Sequence, residues 1–71
     1  MRIKLRAARV NAGLTQEQFA TAVGVSKMTV CDWERGKRRV KIYYLPIISQ
    51  VLGVPVDDII LPSVITKSNN G

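Results

Sequence analysis

Residues 14–37, LTQEQFATAVGVSKMTVCDWERGK, decide the fold, because they predict two short helices joined by a tight turn. A hydroxyl residue precedes each helix, Thr15 the first and Ser26 the second. There its side-chain oxygen can accept from a backbone N–H that has no partner within the helix. Gly24 comes just after the first helix, where a left-handed turn costs a glycine little.

Apolar residues of this stretch recur at the spacing of one helix face. Phe19, Ala20 and Val23 share a face of the first helix. Val30 and Trp33 share a face of the second. The remaining side of the second helix faces away from that core and lies beside a basic loop, which indicates a surface that contacts another molecule. Its outward row consists of Met28, Cys31, Asp32 and Arg35, with Lys27 on the flank.

The motif resembles the Cro/phage-repressor-like helix-turn-helix family, which carries the lambda-repressor-like DNA-binding domain. Matching positions are residues 13–16, Ala20, residues 24–26 and residues 33–37, and the resemblance continues through residues 52–54 and 56–60. Any one of these pieces alone is a weak signal, but their order and spacing together are specific. The resemblance implies an all-α, compact five-helix domain that binds double-stranded DNA through the major groove.

Three further helices are predicted outside the motif. One covers residues 3–12, with Leu5, Ala8 and Ala12 facing inward. Pro46 cannot lie deep inside a helix, so the fourth helix begins at about residue 44 or 45 and runs to residue 52. A short fifth helix covers residues 56–61.

Length and charge limit the class of protein. The chain has 71 residues, enough for one domain, which we assign to residues 1–62, with a partly disordered tail over 63–71. Its net charge is +6 and its pI about 10.1, which favours a polyanionic partner. No apolar run approaches the ~20 residues of a membrane span, and no signal-like apolar core follows the N-terminal charges. We expect a cytoplasmic protein, associated with the nucleoid of a bacterial or phage-infected cell.

Residue usage argues against an enzyme. The chain has no histidine and one cysteine, which removes the usual metal-ligand sets and most acid–base pairs. One cysteine also cannot form an internal disulfide, as suits a reducing cytoplasm. Asp57 and Asp58 are adjacent, and neighbours in sequence point to different sides of a helix, so they do not form a catalytic pair. We expect no metal, cofactor or small-molecule substrate.

By resemblance, the base-contacting positions of the family correspond to Lys27, Met28 and Asp32, with Thr29 and Cys31 nearby. Lys27 can donate to guanine O6 or N7, Met28 can contact a thymine methyl, and Asp32 can accept from cytosine N4. Other roles stay open for two of them. Asp32 precedes Arg35 by three residues, so an ion pair on the helix surface is the alternative. Cys31 is alternatively a small filler.

Contacts to the DNA backbone are predicted on either side of that row. The family uses the glutamine that corresponds to Gln16 to hold a phosphate oxygen at a helix start. The loop after the second helix is basic, and with Arg35 it can neutralise the sugar-phosphate backbone. Its predicted phosphate contacts are Lys37, Arg38 and Arg39. The alternative is a solvated basic loop.

Arg9, Glu34 and Trp33 are assigned structural roles. In the family the pair that corresponds to Arg9 and Glu34 joins the first helix to the end of the recognition helix. A partly buried pair of this kind fixes geometry more than it adds stability. Trp33 is interpreted as a core anchor of the same contact.

One recognition helix makes about half of the contacts of a tight operator complex, so the resemblance also implies a homodimer on a palindromic site. Residues 56–65 hold more apolar side chains than one short helix can bury, which places the dimer contact at Ile60, Leu61 and Val64. The rival interpretation is that Val64 and Ile65 fold back over their own core.

Other functions remain open on this sequence. The protein could regulate transcription, act as the DNA-binding antitoxin of a toxin–antitoxin pair, or act as the controller of a restriction-modification operon. A protein-interaction module on the same fold is a further alternative, which DNA-independent, salt-insensitive partner binding would favour.

Overall fold

Four α-helices form the body of the computed structural model, which describes residues 2–61 and the short strand at residues 64–65. The helices are α1 (Leu5–Asn11), α2 (Gln16–Val23), α3 (Lys27–Arg35) and α4 (Leu45–Leu52). Single 3-10 turns occupy Ile42–Tyr44 and Val56–Asp58. The strands, each of two residues, are β1 (Ile3–Lys4), β2 (Val40–Lys41), β3 (Ile59–Ile60) and β4 (Val64–Ile65). In this part of the chain no helix is long and apolar enough to cross a membrane.

The two predicted caps of the central motif are confirmed. Thr15 Oγ1 accepts from the Gln18 backbone N–H at 3.0 Å, and the Gln18 side chain accepts from the Thr15 N–H at 2.9 Å. This reciprocal capping box satisfies two donors at the start of α2. Ser26 caps α3 by accepting from the Thr29 N–H at 3.1 Å. Gly24 ends α2 with φ +94°, a left-handed conformation that favours glycine.

The core lies where α2 and α3 cross and is closed by α1 and α4. Trp33 is 1% exposed and is among the largest fully buried side chains, which confirms it as a core anchor. Ala12, predicted to face inward, is instead exposed, because α1 ends at Asn11 and Ala12 is its C-terminal cap. The remaining buried apolar residues are Leu5, Ala8, Phe19, Ala20, Val23, Val30, Val40, Ile48, Leu52 and Ile59.

The predicted all-α, five-helix count is not confirmed. Residues 56–61 do not form a fifth helix: a 3-10 turn over Val56–Asp58 leads into β3, which pairs in parallel with β1. Ile3 and Lys4, expected in the first helix, form β1 instead. A six-residue segment is too short to sustain a helix by itself, and its β-branched isoleucines suit an extended strand. Pairing with β1 also satisfies backbone groups that a frayed helix would leave free.

A second parallel pair joins β4 to β2, with Val64 opposite Val40 and Ile65 opposite Lys41. The backbone at residues 64–65 therefore returns to its own chain beside the basic loop. The dimer contact predicted at Val64 and the domain boundary after residue 62 stay predictions. The disorder predicted for the last five residues lies outside the described residues.

Candidate nucleic-acid interface

Helix α3 presents the predicted outward row to solvent. Val30 and Trp33 are buried on one side, so the opposite side of the helix is left uncovered. Lys27 and Arg35 are exposed, and Met28 is 64% exposed although it is a large apolar side chain. An apolar side chain this exposed on a charged helix is suited to contact another surface.

Two smaller residues of α3 are less available. Thr29 is half-buried, and its Oγ1 lies 3.0 Å from Ser26 Oγ, so its hydroxyl takes part in the cap at the helix start. Cys31 is also half-buried, and Arg35 Nη1 approaches its sulfur at 3.9 Å. Both residues lie beside the exposed row, and both have side-chain partners within α3 and its cap.

The cationic partner of Asp32 is Arg38, whereas the sequence suggested Arg35 as the alternative. Its carboxylate lies 4.0 Å from Arg38 Nε, at the outer limit of an ion pair, and the structure gives it no such contact with Arg35. The Asp32 carbonyl also accepts from the Lys37 N–H at 2.9 Å and the Arg38 N–H at 3.3 Å. These backbone bonds turn the chain back at the end of α3, which brings Arg38 alongside the carboxylate.

Arg9 and Glu34 join α1 to α3. Arg9 Nε donates to Glu34 Oε2 at 2.6 Å, and both side chains are more than nine-tenths buried. Arg9 Nη1 also donates to the Leu14 carbonyl at 2.7 Å. Gln16 Nε2 donates to Glu34 Oε1 at 3.0 Å, a contact the sequence does not indicate. The chain of contacts ties the start of α2 to the end of the recognition helix.

A cleft on one flank of α3, here called the Gln16 cleft, contains the predicted phosphate contact Gln16 together with Lys27. The bond to Glu34 uses one hydrogen of the Gln16 amide and leaves the second available. Arg6 also lines this cleft, and the sequence analysis did not select it. Its position three residues before Arg9 on α1 was the available signal, since such residues are neighbours on a helix surface.

A second cleft of about 580 Å³, here called the loop cleft, lies on the other flank of α3. Helical rotation puts Lys27 on one side of Met28 and Thr29 on the other, so the two clefts border the exposed row. The loop cleft is bounded by the turn after α2, by α3 and by the basic loop. Its lining residues are Gly24, Val25, Ser26, Thr29, Trp33, Arg38, Arg39, Lys41 and Tyr44.

Three of the predicted phosphate contacts come from the basic loop. Lys37, Arg38 and Arg39 are all exposed, and the last two line the loop cleft. Lys41 joins them there, next to two stacked tyrosines. Contact with the Tyr43 hydroxyl and desolvation raise the pKa of Tyr44, and the charge of Arg38 opposes part of that rise.

The two described residues of the predicted dimer contact differ in their surroundings. Ile60 and Leu61 are both half-buried, but Leu61 packs against the core of its own chain. Ile60 lies on β3 and is not among the apolar residues that pack against that core. Among the described residues, no cluster of His, Cys, Asp or Glu could hold a metal ion.

Comparison with known proteins gives three similarities. A family model described as helix-turn-helix matches residues 5–59. The chain is 32% identical over 60 residues to the cryptic phage CTXphi transcriptional repressor RstR of Vibrio cholerae, covering 84% of this chain and 54% of that protein. It thus spans about half the length of that relative. The crystal structure of the clp gene regulator ClgR from C. glutamicum is similar with a TM-score of 0.71 and 33% identity, covering 76% of this chain and 69% of that one.

Proposed function

We propose that this chain, which belongs to the Cro/C1-type helix-turn-helix family, is a DNA-binding regulator that represses transcription by occupying a palindromic operator as a homodimer. The observation that carries this proposal is the exposed row of α3 between two cationic clefts. A helix lying in the major groove presents its outer row to base edges while its flanks face the two phosphate backbones. A regulator of this kind acts in the cytoplasm, at the nucleoid of a bacterial or phage-infected cell.

Sequence is read by Lys27, Met28 and Asp32 in this proposal. The exposed Met28 meets a thymine methyl, and Lys27 donates to guanine. A carboxylate in the groove would be repelled by phosphates, but the nearby Arg38 offsets part of the charge of Asp32 and supports its approach to a cytosine amine. Thr29 and Cys31 play a smaller part, because each already has a side-chain partner.

The DNA backbone is held on both flanks. Gln16 donates its free amide hydrogen to a phosphate oxygen, and its bond to Glu34 orients that amide. On the other flank Lys37, Arg38 and Arg39 neutralise phosphates, with Arg35 at the end of α3. These contacts supply affinity and register and do not distinguish sequences.

The homodimer contact is proposed at Ile60, Leu61 and Val64. Ile60 is the most favourable of them, because it is partly exposed and does not pack against the core of its own chain. Leu61 contributes less, since much of its surface packs on its own core. A surface this small supports a weak dimer that forms fully on DNA.

Selection of bound sites from random duplex DNA at a fixed salt concentration tests the function. We expect enrichment of an inverted repeat whose half-sites lie one helical turn apart, roughly 34 to 36 Å. Lys27→Ala should change the enriched sequence, whereas the control Lys4→Ala, an exposed cation on β1 with the same charge loss, should leave it unchanged. Binding without any preferred sequence would contradict the proposal.

A further inference from the structure

We propose that the loop cleft binds a phosphate group of the DNA backbone and that the indole N–H of Trp33 is a donor at its floor. The inference rests on the proposed function and adds to it a DNA contact from a residue that sequence analysis assigned to the core alone. Its basis is the hydrogen bonding of Trp33 and the charge of the residues around it.

The indole nitrogen of Trp33 has no partner in the described part of the chain. Among the described residues, the Trp33 side chain makes apolar packing contacts and a ring contact with Tyr44, whose centroid lies 5.2 Å away. Every buried side-chain nitrogen and oxygen in that same part of the chain has a hydrogen-bond partner, so Nε1 cannot be one of the buried atoms. Trp33 is only 1% exposed and is part of the lining of the loop cleft, and the proposal places Nε1 in this small accessible part.

A nearly buried donor without a partner favours a ligand that accepts hydrogen bonds. Indole N–H groups usually have a partner when they are buried, and leaving such a group unpaired costs free energy. The ring itself is held by the core and by Tyr44, so the N–H is fixed before any ligand arrives. A fixed donor loses little conformational entropy on binding.

The charge of the loop cleft identifies the acceptor as an anion. Arg38, Arg39 and Lys41 line it, and no described residue of the lining is acidic. Thr29 and Tyr44 also line it, and each carries a hydroxyl, a group that can donate or accept a hydrogen bond. Tetrahedral oxyanions accept several hydrogen bonds from such a mixture of cations and neutral donors, and phosphate is the group that DNA supplies.

The position of the cleft favours a phosphate of bound DNA over a free one. Thr29 belongs both to its lining and to the flank of the exposed row on α3, so a duplex whose groove receives that row brings a backbone strand to the cleft. Arg38, which also contacts Asp32, connects the same cleft to the base-contacting row. Inorganic phosphate accepts the same hydrogen bonds, so the experiment also measures binding of inorganic phosphate as a separate ligand.

The test uses the indole N–H as its own reporter. The chain contains a single tryptophan, so the ¹⁵N–¹H spectrum of the full-length protein has one indole signal. We expect the selected operator duplex to move this signal downfield, as a new hydrogen bond to an oxyanion does. Inorganic phosphate at the same ionic strength should move it in the same direction at much higher concentration. A signal that stays in place while backbone amides of α3 respond to the duplex would overturn the proposal, as would a response to inorganic phosphate alone.

Trp33→Phe supplies the second measurement, because it removes the N–H and keeps an aromatic ring. We expect it to weaken duplex binding about ten- to hundredfold, the worth of one hydrogen bond to a charged group, without changing the slope of log K against log salt. The control is Gln50→Ala, which removes a polar group from an exposed side chain of α4 outside the lining of both clefts and should bind as the wild type does. Equal binding by a folded Trp33→Phe variant would refute the role of the indole alone. Failure of the wild type to bind any duplex would refute the proposed function instead.

Discussion

Met28 and Glu34 lie on the same nine-residue helix, and helical rotation gives them opposite environments. Met28 is 64% exposed, and its side chain has no polar group that needs a hydrogen bond. It therefore contributes binding free energy only when another surface buries it. The Glu34 side chain is 4% exposed and accepts from both Arg9 and Gln16. One residue is thus available for contact, and the other holds neighbouring elements in place.

Met28→Ala should change sequence preference without changing the fold. Loss of an apolar contact to a thymine methyl should relax discrimination at one operator position by about 1 kcal/mol, the lower end of a direct base contact. Affinities for single-base variants of the operator, measured at one salt concentration, provide the check. Ala22→Gly, at an exposed position of α2 outside the described clefts, would control for a general loss of stability of the motif. A Met28→Ala profile identical to the wild type would remove this residue from the recognition surface.

Arg9→Ala and Glu34→Ala should each lower the free energy of unfolding by roughly 1 to 3 kcal/mol, because each leaves a buried charge without its partner. The double variant should lose less than the sum, since neither charge is then left alone. Urea denaturation of the four proteins gives the coupling energy. Strictly additive losses would mean that the 2.6 Å contact contributes no coupling in solution.

At the scale of elements, the basic loop is anchored at both of its ends. The carbonyl of Asp32 holds its start through the Lys37 and Arg38 amides, and β2, paired with β4, forms its end. An anchored loop keeps its cations near the flank of α3, so less entropy is lost when they meet phosphate. This arrangement distinguishes the loop from a freely solvated basic segment.

Replacing Arg38 and Arg39 together by alanine should weaken binding to operator and random DNA alike. The slope of log K against log salt is negative, and each lost phosphate contact should make it shallower by about 0.9. The double change should therefore make the slope shallower by nearly two. Binding measured across a salt series gives the slope, with Arg2→Ala plus Lys4→Ala as a charge-matched control at exposed positions outside the two clefts. Equal slopes for the two double variants would indicate that the loss of net charge, and not the position of the two arginines, weakens DNA binding.

At the scale of the whole molecule, one subunit offers a single recognition helix. A specific operator complex usually buries more surface than one such module provides, so two subunits on a two-fold site are expected. The half-buried Ile60 is the proposed position of that contact, and Val10 on α1, which is 54% exposed, serves as the comparison.

Ile60→Asp should leave a folded protein that binds a half-site as the wild type does and loses cooperative occupancy of the full palindrome. A buried carboxylate at the contact would be desolvated without a partner, which should cost several-fold to a hundredfold in cooperativity, on the order of 1 to 3 kcal/mol. Quantitative footprinting on full and half sites measures it, alongside Val10→Asp. If Val10→Asp abolishes cooperativity and Ile60→Asp does not, the subunits meet through α1.

Local features of the sequence determined the central motif. The caps at Thr15 and Ser26, the left-handed Gly24 and the start of α4 near Pro46 each depend on residues a few positions apart, so the sequence predicts them. The exposure of Met28 follows from the same periodicity. These short-range signals were sufficient to indicate a nucleic-acid interface.

Only the tertiary structure decided which distant groups meet. The bond from Gln16 to Glu34, the approach of Arg38 to Asp32 and the place of Trp33 in the lining of the loop cleft depend on how α2, α3 and the basic loop pack. The parallel pairs β1–β3 and β2–β4 likewise join residues far apart in the chain, and non-local pairing overrode the weak helical signal of residues 56–61. Sequence spacing does not encode such contacts, because each is stabilised by the simultaneous burial of groups from several elements.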